Sequence, residues 1–504
     1  MRVCMLRGGA HHLYSYTDGR WLHRDELQRN SRHIQFDFLA LCERAIRVCP
    51  WATQVVRHEK YEGAFNRVFI LMMDNGSRVV ARLPTGISGP PKLTTSSEAA
   101  TMAYLGAEYI IQEHATGVQL HQIWSMMNSE QHMLCTKTLS MALRKMASLD
   151  FPAYSSLYFS DAPIDTETKV AVEPGFCIEP NCNPTFWNRN PGELELYGGP
   201  GSNCSHWKDL ASYCLGLIEA GFSRLPKEPV SQGSLPYQGS VEEHIHLLKI
   251  SQEVLKMLVQ DKRVQDAAAP TLLHPDFHKR NIFVSPGDPT VITGLIDWQS
   301  TAIEPVFIYA NETPDFAALP EQPDEEEDIP QTGHSETQIS LACKERALKD
   351  AAICYQTYDV CMKGLAPKLR SARLLDLTLF RLFHYSNTTW RDSAAAVRQE
   401  LIELSASWPE LGLQGSCPFL PTEKELEHAR AYEDSETVQR LKLRLKRSLH
   451  TDSDGWVPSE KCGSAKDAHR AAYDEWIQTA KESEGRSEEL TVAKAEKLWP
   501  FDAR

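Results

Sequence analysis

Residues Leu272–Gln299 read LLHPDFHKRNIFVSPGDPTVITGLIDWQ, and the spacing within this stretch decides the fold. His274-x-Asp276-x-x-x-x-Asn281 runs into the apolar triplet Ile282–Val284; a Ser285-Pro-Gly-Asp-Pro turn, the run VITGLI and Asp297 follow. Residues 282–284 and 291–296 are expected to pair as a hairpin, because a Gly/Pro/Asp turn between two β-rich runs reverses the chain. The two ends of such a hairpin lie side by side. Asn281 and Asp297 should therefore meet at one edge, where their oxygens can share metal ions. Asp276 falls on the loop entering the hairpin, where a carboxylate can accept a hydroxyl proton while Mg²⁺ bridges nucleotide phosphates. Together these residues form the set of parts that phosphoryl transfer requires.

The rest of the chain narrows the partners. Its 504 residues carry 53 Lys plus Arg against 67 Asp plus Glu, a net charge of −14, and 42% are apolar, ample for packed cores. Neutralising a nucleic-acid backbone takes a surplus of Lys and Arg, so general nucleic-acid binding is excluded, whereas small or metal-complexed anions are not. The 13 cysteines are scattered with no CxxC pair, as in an intracellular, reducing compartment. No apolar run approaches the ~18 residues that span a bilayer, so no transmembrane segment is expected. The N-terminus carries Arg2 and Arg7 with no acid before Asp18, and it lacks the apolar core of a secretory signal. It reads as a frayed basic end or as a short organelle-targeting segment.

Upstream, Gln54–Leu83 holds a QVVRHEK run and then VFILMMD and SRVVARL, joined by Asp74-Asn75-Gly76. Asn-Gly between β-rich runs predicts a type I′ hairpin with positive φ at both central positions. Thr95-x-x-Glu98 has the capping-box pattern that opens a helix, and Gly106–His114 (GAEYIIQEH) returns to strand composition. The predicted order is strand, strand, strand, helix, strand. Gly175–Trp187 (GFCIEPNCNPTFW) has two Cys and no His at matching spacing, so it reads as an ordered surface loop over a cleft rather than a zinc site. Asn311–His334 contains EQPDEEED and reads as a solvated acidic loop. From Ser335 onward the pattern is mostly helical, and Val438–Arg447 (VQRLKLRLKR) reads as a helix with a solvated charged face.

HPDFHKRNIF followed by LIDWQ resembles the aminoglycoside phosphotransferase and choline-kinase-like family, a branch of the protein-kinase fold, over about residues 54–308. Asp297 is followed by Trp298 and Gln299 rather than Phe-Gly, and no Ala-Pro-Glu segment comes after it, which favours a small-molecule kinase over a protein kinase. The resemblance implies an α+β, bilobal fold, with a small antiparallel-sheet N-lobe, a mainly helical C-lobe and a helical C-terminal extension. It divides the chain into an N-terminal extension (1–50), a nucleotide-binding N-lobe (51–116), a C-lobe with the catalytic loop (117–310), the acidic loop (311–334) and a helical extension packed on the C-lobe (335–504). It also implies roles. Asp276 would be catalytic, His274 would hold the loop's backbone, and His278 occupies a position where this branch usually has His. Asn281 and Asp297 would ligate Mg²⁺. ATP would meet Gly63, Ala64 and Phe65 in a phosphate-covering loop, Arg82 in place of the fold's phosphate-pairing Lys with Glu98 as its helix partner, and the backbone of Glu113 and His114 at the lobe hinge.

A wider resemblance rests on YSYTDGRWL, EGAFNRVFIL, VVARLP, TTSSEAATM, GAEYIIQEH, LDFPAYSSLYF and DGWVP. These are similar to the fungal, phosphotransferase-like group called altered inheritance of mitochondria protein 9. That likeness implies a mitochondrial association, with the cytoplasm as the alternative. Arg at the Lys position is common in the group. Members also carry a further strand between the helix and the GAEYI run, whereas here MAYL runs straight into it, so the N-lobe sheet is expected to be one strand short with an exposed apolar face. Two functions stand open. One is ATP- and Mg²⁺-dependent transfer to the hydroxyl of an unknown small molecule; the other, supported by Ala64, Arg82 and the missing strand, is a nucleotide-binding pseudokinase or scaffold.

Overall fold

A computed structural model describes residues 11–105, 112–113, 117–164, 169–187, 206–226, 237–310, 312–320, 338–427, 430–448, 451, 455–484 and 490–501. After strand β1 (Gly19–Trp21) and helix Phe38–Val48, the alternating runs form β2 (Val55–Glu62), β3 (Asn66–Met73) and β4 (Arg78–Pro84). Helix Pro91–Tyr104 comes next, and then β5 (Gln112–Glu113), which pairs with Val79 and Val80. The sheet is antiparallel in the order β2-β3-β4-β5, four strands among the described residues. His114 and the GAEYI run lie outside those residues.

Three local expectations give way here. The β3–β4 turn is not type I′. Gly76 alone takes a positive φ (+84°), with its N–H on Met73 O at 3.1 Å, while the Asn75 side chain accepts the Ser77 N–H at 2.9 Å. This is a three-residue loop closed by one left-handed glycine. Nor is there a capping box at Thr95–Glu98. The helix starts one turn earlier, at Pro91, whose fixed φ suits a first helical position, so Glu98 is an interior residue free to reach β4. Finally, the apolar sheet face is covered. Phe69, Leu71 and Met73 are at most 2% exposed and pack with Phe38, Cys42 and Ala45. Those three come from helix Phe38–Val48, which starts where Asp37 accepts the Ala40 N–H. An N-terminal helix covers this face.

The larger lobe follows β6 (Val118–Gln119). A three-stranded sheet, ordered β7-β9-β8, is built from β7 (Ser156–Phe159), β8 (Val170–Glu173) and β9 (Phe176–Glu179). The Gly175–Trp187 stretch is therefore interior rather than a surface loop: β9 is the central strand, and Cys177, Cys182 and Phe186 are buried. β10 (Pro270–Leu272) pairs with β13 (Ile303–Pro305), and β11 (Ile282–Val284) lies between β12 (Ile292–Leu295) and β6. Helices Ser129–Ala147, Leu210–Ser223, Val241–Leu258, Gln338–Leu365, Arg381–Asp392 and Ala394–Ser407 contribute to one core with the hairpin. Leu139, Leu217, Leu255, Met362, Phe383 and Val397 belong to the same buried cluster as Ile282 and Trp298. The last part of the chain touches both lobes: Val438 and Leu498 pack with Tyr237 and Ala395 of the large lobe, while Leu441, Leu445, Trp499 and Phe501 pack with Leu22, and β14 (Trp456–Pro458) pairs with β1. Among the described residues no helix is long and apolar enough to cross a membrane.

Gly117 shows how tightly the β11–β12 hairpin is held. Its φ is +112°, and a Cβ there would lie 2.3 Å from Val284 O and 2.7 Å from Thr293 Oγ1, between the two hairpin strands. Gly117→Ala is expected to force β11 and β12 aside and to cost about 2 kcal/mol, as overpacking does. A urea unfolding midpoint equal to wild type would contradict it.

Candidate active site

Pairing of Ile282 with Leu295, extended by the Ile296 N–H on Asn281 O at 3.0 Å, sets Asn281 and Asp297 at the open end of the β11–β12 hairpin. Asp297 adopts φ +70°, a left-handed conformation that is rare for a residue with a side chain and concentrates at functional sites. Asn281 is nearly buried, and its Nδ2 donates to Asp276 O at 2.9 Å and Asp276 Oδ2 at 2.8 Å. That pairing fixes the amide's orientation, with Oδ1 opposite.

His274 Nε2 donates to Ile296 O at 2.9 Å, and its Nδ1 accepts the Asp276 N–H at 3.2 Å, which ties the loop to the hairpin. Burial pushes its pKa down to about 4, so the ring is neutral in the tautomer these partners require. His278 Nε2 lies 3.0 Å from Asp276 Oδ1 and its Nδ1 lies 3.7 Å from Asp315. Both Asp276 oxygens are thus engaged, one by Asn281 and one by His278.

The Asp315 interaction raises the His278 pKa. Burial would raise Asp315, but His278 and the Lys279 N–H and ammonium more than offset this and lower it. The signs define a window. His278 stabilises the fold below its ordinary 6.5 and stops doing so as pH rises through its elevated folded value, while Asp315 contributes above its ordinary 3.8. The stability gap between wild type and Asp315→Asn is therefore expected to be widest near pH 5–6 and to narrow toward pH 9; urea midpoints across that range test it.

Across the cleft, β4 presents Arg82 to three elements at once. Its guanidinium binds Glu98 on helix Pro91–Tyr104 and Asp297 beyond the hairpin, and it reaches Gln299 Oε1 at 3.3 Å. Asn66, with its amide oxygen toward Arg82, accepts from Nε at 3.0 Å and donates to Gln299 Oε1. Burial pushes the Glu98 carboxyl up to about 7, against the pull of Arg82. Arg82 and Glu98, expected as a pair, do meet, and the pair extends to Asp297. Asn66 and Gln299 were missed, although both lie inside stretches quoted above; amide side chains there carried no signal beyond being polar.

Gly63, Ala64 and Phe65 form the tip between β2 and β3. Two of its carbonyls are taken: Ala64 O accepts from Arg32 Nε at 3.0 Å, and Phe65 O accepts from the Thr85 N–H at 2.8 Å. The N–H groups of Ala64 and Phe65 have no acceptor among the described residues. A turn in that state offers donors to an anion. The backbone of Glu113 pairs with Val79.

The oxygen donors suit a hard cation. Asp297 and the Asn281 amide oxygen are the type of ligand Mg²⁺ takes, and two protein ligands suffice for an ion that keeps waters and substrate phosphates. Among the described residues no His/Cys/Asp/Glu group of three or more could hold a metal alone.

Residues 233–308, which contain the loop and the hairpin, match the phosphotransferase enzyme family. A subtelomeric hrmA-associated cluster protein of Aspergillus fumigatus is 26% identical over 504 residues, covering 87% of this chain and 95% of that protein. Altered inheritance of mitochondria protein 9, mitochondrial, of Yarrowia lipolytica is 21% identical over 521 residues, covering 89% of this chain and 84% of that protein. Among solved structures, a candidate fructosamine-3-kinase of Thermobifida fusca is 11% identical, with coverage of 73% of this chain and 100% of that one and a TM-score of 0.34.

Proposed function

We propose, starting from the phosphotransferase family segment at 233–308, that this protein transfers the γ-phosphoryl group of ATP to the hydroxyl of a small molecule. The observation that carries the reading is the convergence of Asp276, Asn281 and Asp297 on one hairpin end, with Arg82 and Glu98 brought to Asp297 from the other lobe. Asp276 orients the acceptor hydroxyl and takes its proton, and His278 with Asn281 holds that carboxylate in place. Asn281 and Asp297 are the residues that would hold Mg²⁺, which supplies charge neutralisation between the β- and γ-phosphates. Arg82, fixed by Glu98 and Asn66, provides a charged planar fork for phosphate oxygens. Gly63–Phe65 covers the phosphates with backbone N–H groups.

Isothermal titration with Mg-ATP, followed by ATP turnover over a panel of hydroxylated metabolites, tests this. A second reading has one observation behind it: Arg82 already occupies an Asp297 oxygen, as it would in a nucleotide-binding pseudokinase. Tight Mg-ATP binding with no turnover on any acceptor would establish that alternative. The likeness to a mitochondrial protein of Yarrowia lipolytica supports a mitochondrial location, which fluorescent tagging beside a matrix marker would check against the cytoplasm.

A further inference from the structure

Two segments far apart in sequence meet over the small lobe. β1 pairs with β14 through Gly19↔Pro458, Arg20↔Val457 and Trp21↔Trp456. The join is close, since a Cβ on Gly19 would lie 2.0 Å from the Trp456 indole. Ser459 adds its N–H on Asp18 O at 2.9 Å and its hydroxyl on Thr17 O at 2.6 Å. Thr17 and Asp18 then pass their own N–H groups to Glu62 Oε2, at 2.6 and 3.0 Å.

Glu62 is the last residue of β2, directly before the Gly63–Phe65 tip. Its other oxygen holds Arg67 at 3.0 Å and Lys60 at 3.1 Å, and the side chains of Glu62 and Arg67 are each 1% exposed. Arg32, 3% exposed and stacked 4.4 Å over Trp21, donates to Ala64 O. A buried charge set of this kind is costly unless every partner is in place, so it tolerates one arrangement of the tip. A phosphate cover with a single glycine has no need of flexibility if it is held from outside.

We propose that Glu62 and Arg32 are positioning residues through which the paired segments fix the Gly63–Phe65 tip and thereby set nucleotide affinity. The proposal rests on the reading of that tip as a phosphate cover. Docking of β14 orders Thr17 and Asp18, those order Glu62 and Arg67, and Arg32 ties the tip carbonyl, which leaves the tip's N–H groups as the donors.

The test uses the full chain with Ser459→Ala, which removes one bond, and Gly19→Val, which wedges β1 from β14. Hydrogen exchange at residues 62–66 should rise by at least about tenfold in Gly19→Val and less in Ser459→Ala, with helix Val241–Leu258 unchanged as a check on folding. The KM for ATP should rise in the same order while kcat holds. Exchange at 62–66 equal to wild type in both variants would overturn the proposal, as would faster exchange with an unaltered KM. A wild-type chain that binds no Mg-ATP would instead overturn the kinase reading, with the exchange difference still deciding whether the paired segments fix the tip.

Discussion

In the Asp276→Asn protein, ATP turnover falls by about 10²- to 10⁴-fold, the range carried by a positioned general base, and nucleotide affinity stays at the wild-type value. The amide oxygen of the substituted residue can still accept from Asn281 Nδ2, and the His274 bond to the Asp276 N–H is a backbone contact, so the loop keeps its shape. What is lost is a group able to take a proton. Steady-state kinetics with nucleotide titration separate the two effects. Turnover at the wild-type rate would remove Asp276 from the role given to it.

Replacing Arg82 by Met is expected to destabilise the protein by about 3–5 kcal/mol, the cost of stripping the partner from a buried charge. Glu98, with a side chain 9% exposed, is the group left behind, and Asp297 at 38% is the lesser part because water reaches it. Since burial already pushes Glu98 up to about 7, it can escape the penalty by taking a proton. The loss should therefore be larger at pH 8 than at pH 6, and Arg82→Met with Glu98→Gln should recover part of it. Urea midpoints at the two pH values decide the matter. An equal, small loss at both would mean that the pair contributes little to folding.

How much of this could be read beforehand depended on whether neighbours in sequence were neighbours in space. The β11–β12 hairpin is local, and its turn chemistry and spacing placed Asn281 and Asp297 correctly. Arg82 and Glu98 needed the resemblance, yet their meeting was also legible. The turn at Asp74–Gly76 misled because the Asn75 side chain accepts the Ser77 N–H and closes the loop with one left-handed residue instead of two. The start of helix Pro91–Tyr104 misled because Pro91 outweighed a capping pattern four residues later. Nothing local says that residues 13–32 and 456–459 will cover Lys60, Glu62 and Arg67, so their cluster carried no signal in the sequence. For the same reason the helix over Phe69 and Leu71 was invisible: coverage is a tertiary fact, and an apolar face looks the same whichever element packs on it.

The bond from Trp456 to the Tyr16 hydroxyl joins residues 440 positions apart. At ~5–20 residues per second of synthesis, the β1 segment waits on the order of 20–90 s before its partner strand exists. Through that interval the large-lobe helices can gather around their own core, but the cluster around Glu62 must stay hydrated or partly paired. The β1 segment and the Glu62 cluster are thus the last parts of the small lobe to acquire their native order during translation, after the core of Phe38, Phe69 and Leu71 is already complete. A nascent chain arrested before Trp456 should show a protease-sensitive segment around Thr17–Trp21 beside a protected hairpin at Asn281–Asp297.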